Sequence, residues 1–236
     1  MIAFMITFIK SKRRLQNFKE IKKKLNIASL QCFEAIDSIN KWDQYYELAK
    51  VQKTHTDQYL NEGLRDGKYD KRYGSKGKGE LGCDLSHLFI YKYLQENLQR
   101  DDQYCLILED DILIEEKFNT DIFNILEQSK SIESHYVHML TNKKFYEEQY
   151  SQEQRLTQNL YRMIPQWHTG CQLISRKGAE ILIDAMPFSV PIDIQISYNI
   201  KKLNATASPV NSVRNGGCAS ANDTSNTKFG SLIWQK

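Results

Sequence analysis

Three consecutive carboxylates follow a run of uncharged, mostly apolar residues in the middle of the chain. The segment YCLILEDDIL, residues 104–113, places Glu109, Asp110 and Asp111 directly after that run. A short apolar run is typical of a buried strand, whereas carboxylates are rarely buried unless they are paired. Carboxylates held together also raise one another's pKa unless a cation neutralises them. The segment therefore indicates a strand that carries a charged site at its carboxyl end.

Spacing alone leaves two interpretations of this acidic triplet open. Side chains alternate along a strand, so Glu109 and Asp111 would face one side and Asp110 the other. Such oxygen ligands suit Mg²⁺ or Mn²⁺, which proteins commonly hold with one or two carboxylates together with substrate phosphates. In the alternative interpretation, the acids form a strand-end turn and interact with the dipole of the following helix.

The elements before the triplet predict a parallel α/β sheet. Residues 2–9 suit a buried strand, Ser11 is a suitable N-cap for a following helix, and residues 28–35 suit a second strand. Strand, helix and strand within about 35 residues are typical of a parallel βαβ unit. Ligands of open parallel sheets bind beyond the carboxyl ends of the strands, which is where the triplet would lie.

The rest of the chain continues this alternation without an obvious repeat or linker. Further strands are predicted over residues 103–109, 135–140 and 171–175. Helices are predicted over residues 39–51, from Leu81 to Leu98, near 115–128, after Ser175 as N-cap up to Pro187, and from Pro191 onwards. Residues 53–80 and 141–160 are polar and are predicted to be loops. We expect one α/β domain over residues 1–210 and a loosely ordered tail over 211–236.

Composition excludes several classes of protein. Hydrophobic residues make up 41% and charged residues 26% of the chain, as in ordinary globular proteins. The net charge of +3 is too small to suggest binding to nucleic acid. The five cysteines include no C-x-x-C pair, which favours reduced thiols in a reducing compartment.

The amino-terminal segment MIAFMITFI does not have the order of a signal peptide, because the basic residues follow the apolar run. Its nine residues are too few to cross a bilayer, which requires about 20. No other segment is long or apolar enough to predict a transmembrane helix. We therefore expect a cytoplasmic protein, with peripheral contact at a membrane surface as an alternative.

Four segments occur in a characteristic order: GELGCDLSHLFIYKYL (79–94), YCLILEDDIL (104–113), HTGCQLISRKGAEIL (168–182) and PIDIQI (191–196). Together with FMITFIKSKRRLQNF and CFEAIDSIN near the amino end, they resemble glycosyltransferase family 25. This family comprises lipooligosaccharide β-galactosyltransferases and collagen galactosyltransferases. The resemblance covers roughly residues 2–200, and Ser38 stands where the family usually has glycine.

The resemblance implies a GT-A-like fold, a nucleotide-binding α/β sandwich with a mostly parallel central sheet. Glu109, Asp110 and Asp111 would form its Asp-x-Asp-type motif, with Glu109 and Asp111 holding Mn²⁺ or Mg²⁺. The implied reaction moves a hexose, often galactose, from a UDP-sugar to a hydroxyl of a glycan or glycosylated acceptor, with inversion. Two other functions stay open: a non-catalytic protein that binds nucleotide sugars or glycans, and a metal-dependent phosphoryl or nucleotidyl transferase.

Six residues are expected to bind the substrate: Asp37, Lys78, Glu80, Ser86, His87 and Asp110. The resemblance places Ser86 and His87 near the nucleotide, although His87 could instead make a hydrogen bond between a helix and the sheet. Lys78 and Glu80 could approach the diphosphate or the acceptor from a flexible loop, or they could be solvated. Arg13 and Arg14 match the basic pair that follows the family's first strand and could meet phosphate, but a solvated helix face is the more typical place for such residues.

Asp193 and His168 are the candidate catalytic residues. Inversion by direct displacement requires a base near the acceptor hydroxyl. Asp193 follows Pro191 in the first turn of a predicted helix, where the dipole keeps a carboxylate ionised, and the resemblance places it beside the active site. A purely capping role for Asp193 is the alternative. His168 precedes a strand and could complete the metal shell, contact the acceptor or be structural.

Overall fold

A computed structural model describes residues 1–27, 29–64, 76–139, 149–166, 168–209 and 212–215 of the chain. The strands are β1 (Ile2–Thr7), β2 (Leu30–Glu34), β3 (Tyr104–Glu109), β4 (Ile112–Ile114), β5 (Tyr136–His138), β6 (Tyr161–Arg162), β7 (Cys171–Ser175), β8 (Thr206–Ala207) and β9 (Val213–Asn215). The helices are α1 (Lys12–Lys24), α2 (Trp42–Val51), α3 (Asp57–Leu64), α4 (Lys76–Asn97), α5 (Phe118–Ser131), α6 (Arg176–Asp184) and α7 (Ile192–Tyr198).

Seven strands form the central sheet in the order β2-β1-β3-β7-β5-β8-β6. The strands β1, β2, β3, β5 and β8 run in one direction, whereas β6 and β7 run in the other. This arrangement confirms the predicted α/β fold with a mostly parallel sheet. The antiparallel β7 lies between β3 and β5 and adjoins the carboxyl end of β3 through its first residues.

Helices cover both faces of the sheet because the buried strands are apolar on both sides. In β3, Leu106 and Leu108 pack into the layer that contains α1 and α5. The alternate residues Cys105 and Ile107 pack into the opposite layer, which contains α4, α6 and α7. The carboxyl end of β3 is therefore held between two packed layers.

The side chains predicted to begin helices do so. The hydroxyl of Ser11 accepts from the backbone N–H of Arg14 at 3.5 Å, and that of Ser175 accepts from Gly178 at 3.0 Å. Pro191 immediately precedes α7, as predicted. These local signals depend on few residues, which is why the sequence identifies them.

The prediction of a loop over residues 53–80 is wrong for two stretches, because α3 occupies Asp57–Leu64 and α4 begins at Lys76. The reason is tertiary: Leu60 of α3 is buried against Leu81 and Leu85 of α4, which stabilises a helix too short to be stable alone. Residues 65–75 lie outside the described residues.

The carboxyl-terminal segment is described only in part. Within the predicted tail, Val213–Asn215 form β9, which pairs antiparallel with β4 in a separate two-stranded sheet. The predicted boundary at residue 210 and the looseness of the remaining tail stay predictions. Along the described ranges, no helix is both long and apolar enough to cross a membrane.

Candidate active site

The acidic triplet lies where β3 ends and the chain turns into β4. Glu109 is the last residue of β3, and Asp110 and Asp111 form the turn. The side-chain amide of Asn17, on α1, donates to the carbonyl oxygens of Asp110 and Ile112, at 2.9 Å each. Two hydrogen bonds from Asn17 therefore connect the turn that carries the acids to α1.

Asp110 faces α1 and is held by protein groups. One carboxylate oxygen accepts from the backbone N–H of Phe8 at 2.7 Å, and the other accepts from the guanidinium of Arg14 at 2.5 Å. Burial raises the pKa of Asp110 above its ordinary value, although the charge of Arg14 opposes that shift. The solvated helix face favoured for Arg14 is wrong, because only 22% of its side chain is exposed. Substrate contact through Asp110 stays a prediction.

Glu109 faces the opposite layer and ends a chain of hydrogen bonds. Its Oε1 atom lies 3.1 Å from Nε2 of His87 and accepts from the hydroxyl of Thr169 at 2.5 Å. The other ring nitrogen of His87 lies 2.9 Å from the amide nitrogen of Gln172, whose oxygen accepts from the hydroxyl of Tyr91 at 3.1 Å. Since the Gln172 amide nitrogen donates to Nδ1, the ring proton of His87 that faces Glu109 is on Nε2.

These contacts set the charge of Glu109. Burial acts to raise its pKa, but the hydrogen bonds from His87 and Thr169 favour the carboxylate, and the pKa lies below the ordinary value. Glu109 is thus an anion at the carboxyl end of the central strand. His87 therefore makes the hydrogen bond between a helix and the sheet that was its alternative role. Contact between His87 and a nucleotide stays a prediction.

Asp111 is half-buried, and the negative charges of Glu109 and Asp110 act on its carboxyl group. Burial, Glu109 and Asp110 together raise its pKa to about 7. Carboxylate oxygens crowded in this way suit a hard divalent cation, because the cation removes the repulsion between them. The donor set of Glu109 and Asp111 therefore fits Mn²⁺ or Mg²⁺.

A second group of potential ligands also contains Glu109. Within the part of the chain that the structure describes, only Cys83, His87 and Glu109 form a group of three in which the ligand atoms all lie within 4.8 Å of one another. Cys83 also makes a hydrogen bond to Thr169. Sequence reasoning missed this group, although Cys83 and His87 are four residues apart and share one face of a helix.

The two candidate catalytic residues adjoin each other. The backbone N–H of His168 donates to Oδ2 of Asp193 at 3.1 Å, while Oδ1 accepts from the N–H of Ile194 at 2.8 Å. Burial raises the pKa of Asp193 despite these two hydrogen bonds, and burial lowers the pKa of His168. Thr169, the residue after His168, donates to Glu109, so this segment connects the acidic strand end with the first turn of α7.

Asp84 fixes the start of the helix that carries Asp193. Its Oδ1 accepts from the backbone N–H of Ile192 at 2.9 Å. Its Oδ2 accepts from the hydroxyl of Tyr59 at 2.7 Å and lies 3.2 Å from Nε2 of His55. Asp84 is fully buried, so this network connects α3, α4 and α7 through one carboxylate. The sequence could have pointed to Asp84, because it is a charged residue within the apolar stripe of α4.

Ser86 and Asp37 stabilise the segment after β2. The hydroxyl of Ser86 donates to the carbonyl of Gly82 at 2.7 Å and accepts from the N–H of Ile36 at 3.0 Å. The carboxylate of Asp37 accepts from the side-chain amide of Asn40 at 2.9 Å. Substrate contacts by Ser86 and Asp37 stay predictions.

The two residues expected on a loop are in α4 instead. Glu80 is half-buried in the first part of the helix, and the side chain of Lys78 lies outside the described residues. The flexible-loop interpretation of Glu80 is therefore wrong, because the helix begins before it. Contacts of Lys78 and Glu80 with a substrate stay predictions.

Comparison with known proteins agrees with this arrangement. The model of the family described as glycosyltransferase family 25 (LPS biosynthesis protein) matches residues 1–196. Procollagen galactosyltransferase 2 of Mus musculus is 27% identical over 130 residues, which are 52% of this chain and 20% of that protein. The Homo sapiens protein of the same name is 25% identical over 130 residues, with the same coverage. The chain thus matches about a fifth of the length of these relatives.

Proposed function

Because the chain belongs to glycosyltransferase family 25, we propose that it transfers a hexose from a UDP-sugar to a hydroxyl of a glycan or glycosylated acceptor. The reaction proceeds with inversion and requires Mn²⁺ or Mg²⁺. Galactose is the sugar to test first, because both matched relatives are named galactosyltransferases. The chain matches only a fifth of those relatives, so donor and acceptor are part of the proposal.

One observation carries the proposal: the ionised Glu109 and the Asp193–His168 pair meet beyond the carboxyl end of β3. Two adjacent residues contact the two carboxylates: the backbone N–H of His168 donates to Asp193, and the hydroxyl of Thr169 donates to Glu109. Ligands of open α/β sheets bind at this edge. A donor diphosphate at the acidic strand end would therefore lie near a second carboxylate that can serve the acceptor.

Glu109 and Asp111 are the residues that would hold the cation. When bound, a divalent cation stabilises the negative charge that develops on the leaving diphosphate. Glu109 keeps one orientation because His87 and Thr169 both donate to it. Gln172 in turn orients the ring of His87, so the ligand does not need to be reorganised during the reaction.

Asp193 is the proposed general base. The base must take the proton of the acceptor hydroxyl as that oxygen attacks the sugar. Two backbone N–H groups position the carboxylate, and burial raises its pKa, which makes it a stronger base than an exposed aspartate. His168 lies next to this base and is proposed to contact the acceptor.

A donor screen tests the proposal before the acceptor is identified. We expect a UDP-hexose to raise the melting temperature in the presence of Mn²⁺ and to have little effect without it. At a donor concentration of about 100 Kd, binding stabilises the folded state by about 2.7 kcal/mol. GDP- and CMP-sugars serve as matched controls. A panel in which no UDP-sugar stabilises the protein with Mn²⁺ would reject the proposed donor.

Product analysis separates the two other functions. A hexosyl transferase releases UDP, whereas a nucleotidyl transferase releases UMP and a phosphoryl transferase releases orthophosphate. A non-catalytic binding protein would bind the UDP-sugar and release none of them. The proximity of Glu109 to the Asp193–His168 pair favours the hexosyl transferase.

A further inference from the structure

The group formed by Cys83, His87 and Glu109, here named the thiol cluster, has a donor set unlike that of the acidic triplet. It offers one sulfur, one imidazole nitrogen and one carboxylate oxygen within 4.8 Å of one another. Mg²⁺ and Mn²⁺ prefer oxygen ligands, whereas thiolate and imidazole together favour Zn²⁺ and similar ions. The two groups share only Glu109.

We propose that the thiol cluster is a binding site for a thiophilic divalent cation of the Zn²⁺ class, distinct from the oxygen site at Asp111. Three protein ligands with a fourth position left for water are an established arrangement for zinc. The binding claim depends on the geometry of the cluster and not on the proposed function.

The geometry requires only a small closure of the three side chains. Bonds of about 2.0–2.3 Å to Zn²⁺ in a tetrahedron place neighbouring ligand atoms roughly 3.5 Å apart. The pair His87 Nε2 and Glu109 Oε1 already lies 3.1 Å apart. Cys83 and His87 are one helical turn apart on α4, and the sulfur lies within 4.8 Å of both other ligand atoms. Solvent reaches the cluster because 25% of the Glu109 side chain is exposed.

The hydrogen bonds around His87 can adjust to a cation. Nε2 must lose its proton to bind the ion, and Nδ1 can carry that proton if the amide of Gln172 turns over and presents its oxygen. The Gln172 nitrogen would then donate to the hydroxyl oxygen of Tyr91, which at present donates to Gln172. The thiol of Cys83 releases one proton to solvent, and no group is oxidised or reduced.

Occupation of the thiol cluster removes Glu109 from the oxygen site. If the proposed function holds, Zn²⁺ therefore competes with Mn²⁺ for one shared ligand and inhibits transfer. This consequence, unlike the binding claim, rests on the proposed function. The experiment below tests the binding claim, which requires no substrate.

Co²⁺ provides a direct probe, because a cobalt–thiolate bond gives a charge-transfer band in the near ultraviolet that oxygen ligands do not give. We expect the full chain, kept reduced with a phosphine, to develop this band on titration with Co²⁺ and to lose it when Zn²⁺ is added. Cys83→Ser should abolish the band, whereas the matched control Cys32→Ser, at an exposed cysteine, should keep it.

Two results would show that the thiol cluster does not bind the cation. One is the absence of the band in the wild-type chain, and the other is its persistence in Cys83→Ser. Asp111→Asn should keep the band, and its loss there would show that the thiol cluster is not distinct from the oxygen site. Since absorbance requires no substrate, a protein without transferase activity would still test the cluster. Folding of every variant is checked by circular dichroism.

Discussion

Glu109 and Asp110 are adjacent in the chain, yet their carboxylates serve opposite sides of β3. Glu109 accepts hydrogen bonds from His87 and Thr169, and Asp110 accepts from Arg14 and the backbone of Phe8. The first group points towards the proposed donor site, while the second ties β3 to α1. The turn that begins after Glu109 therefore directs the two neighbouring carboxylates to different helices, Glu109 to α4 and Asp110 to α1.

Asp110→Asn is expected to destabilise the protein. The substitution removes a buried ion pair and leaves the guanidinium of Arg14 without its carboxylate. Breaking such a pair costs about 3 kcal/mol, and partial exposure of Arg14 makes this an upper value. Urea unfolding measures the loss. Asp111→Asn is the matched control, because it removes a like charge and should leave the stability unchanged or higher. Equal destabilisation by both substitutions would contradict the division of roles.

Asp193→Asn should lower turnover by roughly two to four orders of magnitude, the usual contribution of a general base. Donor binding should change little, whereas the melting temperature should fall, because asparagine keeps only one of the two oxygens that accept from the backbone N–H groups of His168 and Ile194. UDP release measures turnover, and thermal unfolding measures the melting temperature. Asp184→Asn, at the end of α6, is the control. Near-normal turnover in folded Asp193→Asn protein would reject Asp193 as the base.

Two glycines of α4 allow a paired test of how closely the helix approaches the segment after β2. A Cβ atom at Gly82 would lie 2.5 Å from the carbonyl oxygen of Ile36 and would clash with the hydroxyl of Ser38. At Gly79, the nearest atom among the described residues would be Cδ1 of Ile39 at 3.9 Å.

Gly82→Ala should therefore destabilise the fold by about 1–3 kcal/mol, the usual cost of overpacking. Gly79→Ala should be neutral or stabilising by up to about 1 kcal/mol, because alanine has the higher helix propensity. Equilibrium unfolding in urea gives both values. The expectation fails if the two variants are equally stable.

His138 should make the protein less stable in acid. It is buried on β5, and neither ring nitrogen has a hydrogen-bond partner among the described residues. Burial lowers its pKa to about 3, while an unfolded chain has a histidine pKa of about 6.5. Below pH 6.5 the unfolded chain therefore binds a proton that the folded chain does not. Stability should fall as the pH decreases from about 6.5 to about 3.

His138→Leu tests this dependence, because leucine cannot bind the proton. The free energy of unfolding of the variant should change less with pH over that range than that of the wild type. His135→Leu serves for comparison: burial also lowers the pKa of this half-buried histidine, so this variant should flatten the profile in the same direction but less than His138→Leu. Parallel pH profiles for wild type and His138→Leu would contradict the assignment.

The sequence identified residues whose signal is local and missed those whose partners are distant in the chain. The acidic end of β3, the caps Ser11 and Ser175, and the first turn of α7 each follow from a few neighbouring residues. Arg14 pairs with Asp110 across 96 positions, and Gln172 reaches His87 across 85. Such pairings depend on how strands and helices are arranged, which no local pattern specifies.

The most direct test of the proposed transferase is Mn²⁺-dependent release of UDP from UDP-galactose or another UDP-hexose, in wild type and in Asp111→Asn. We predict release by the wild type that requires Mn²⁺ or Mg²⁺ and is abolished by a chelator. The Asp111→Asn protein should be folded and should no longer respond to the metal. Equal, metal-independent release by both proteins, or release of UMP in place of UDP, would contradict a metal-dependent hexosyl transfer at this site.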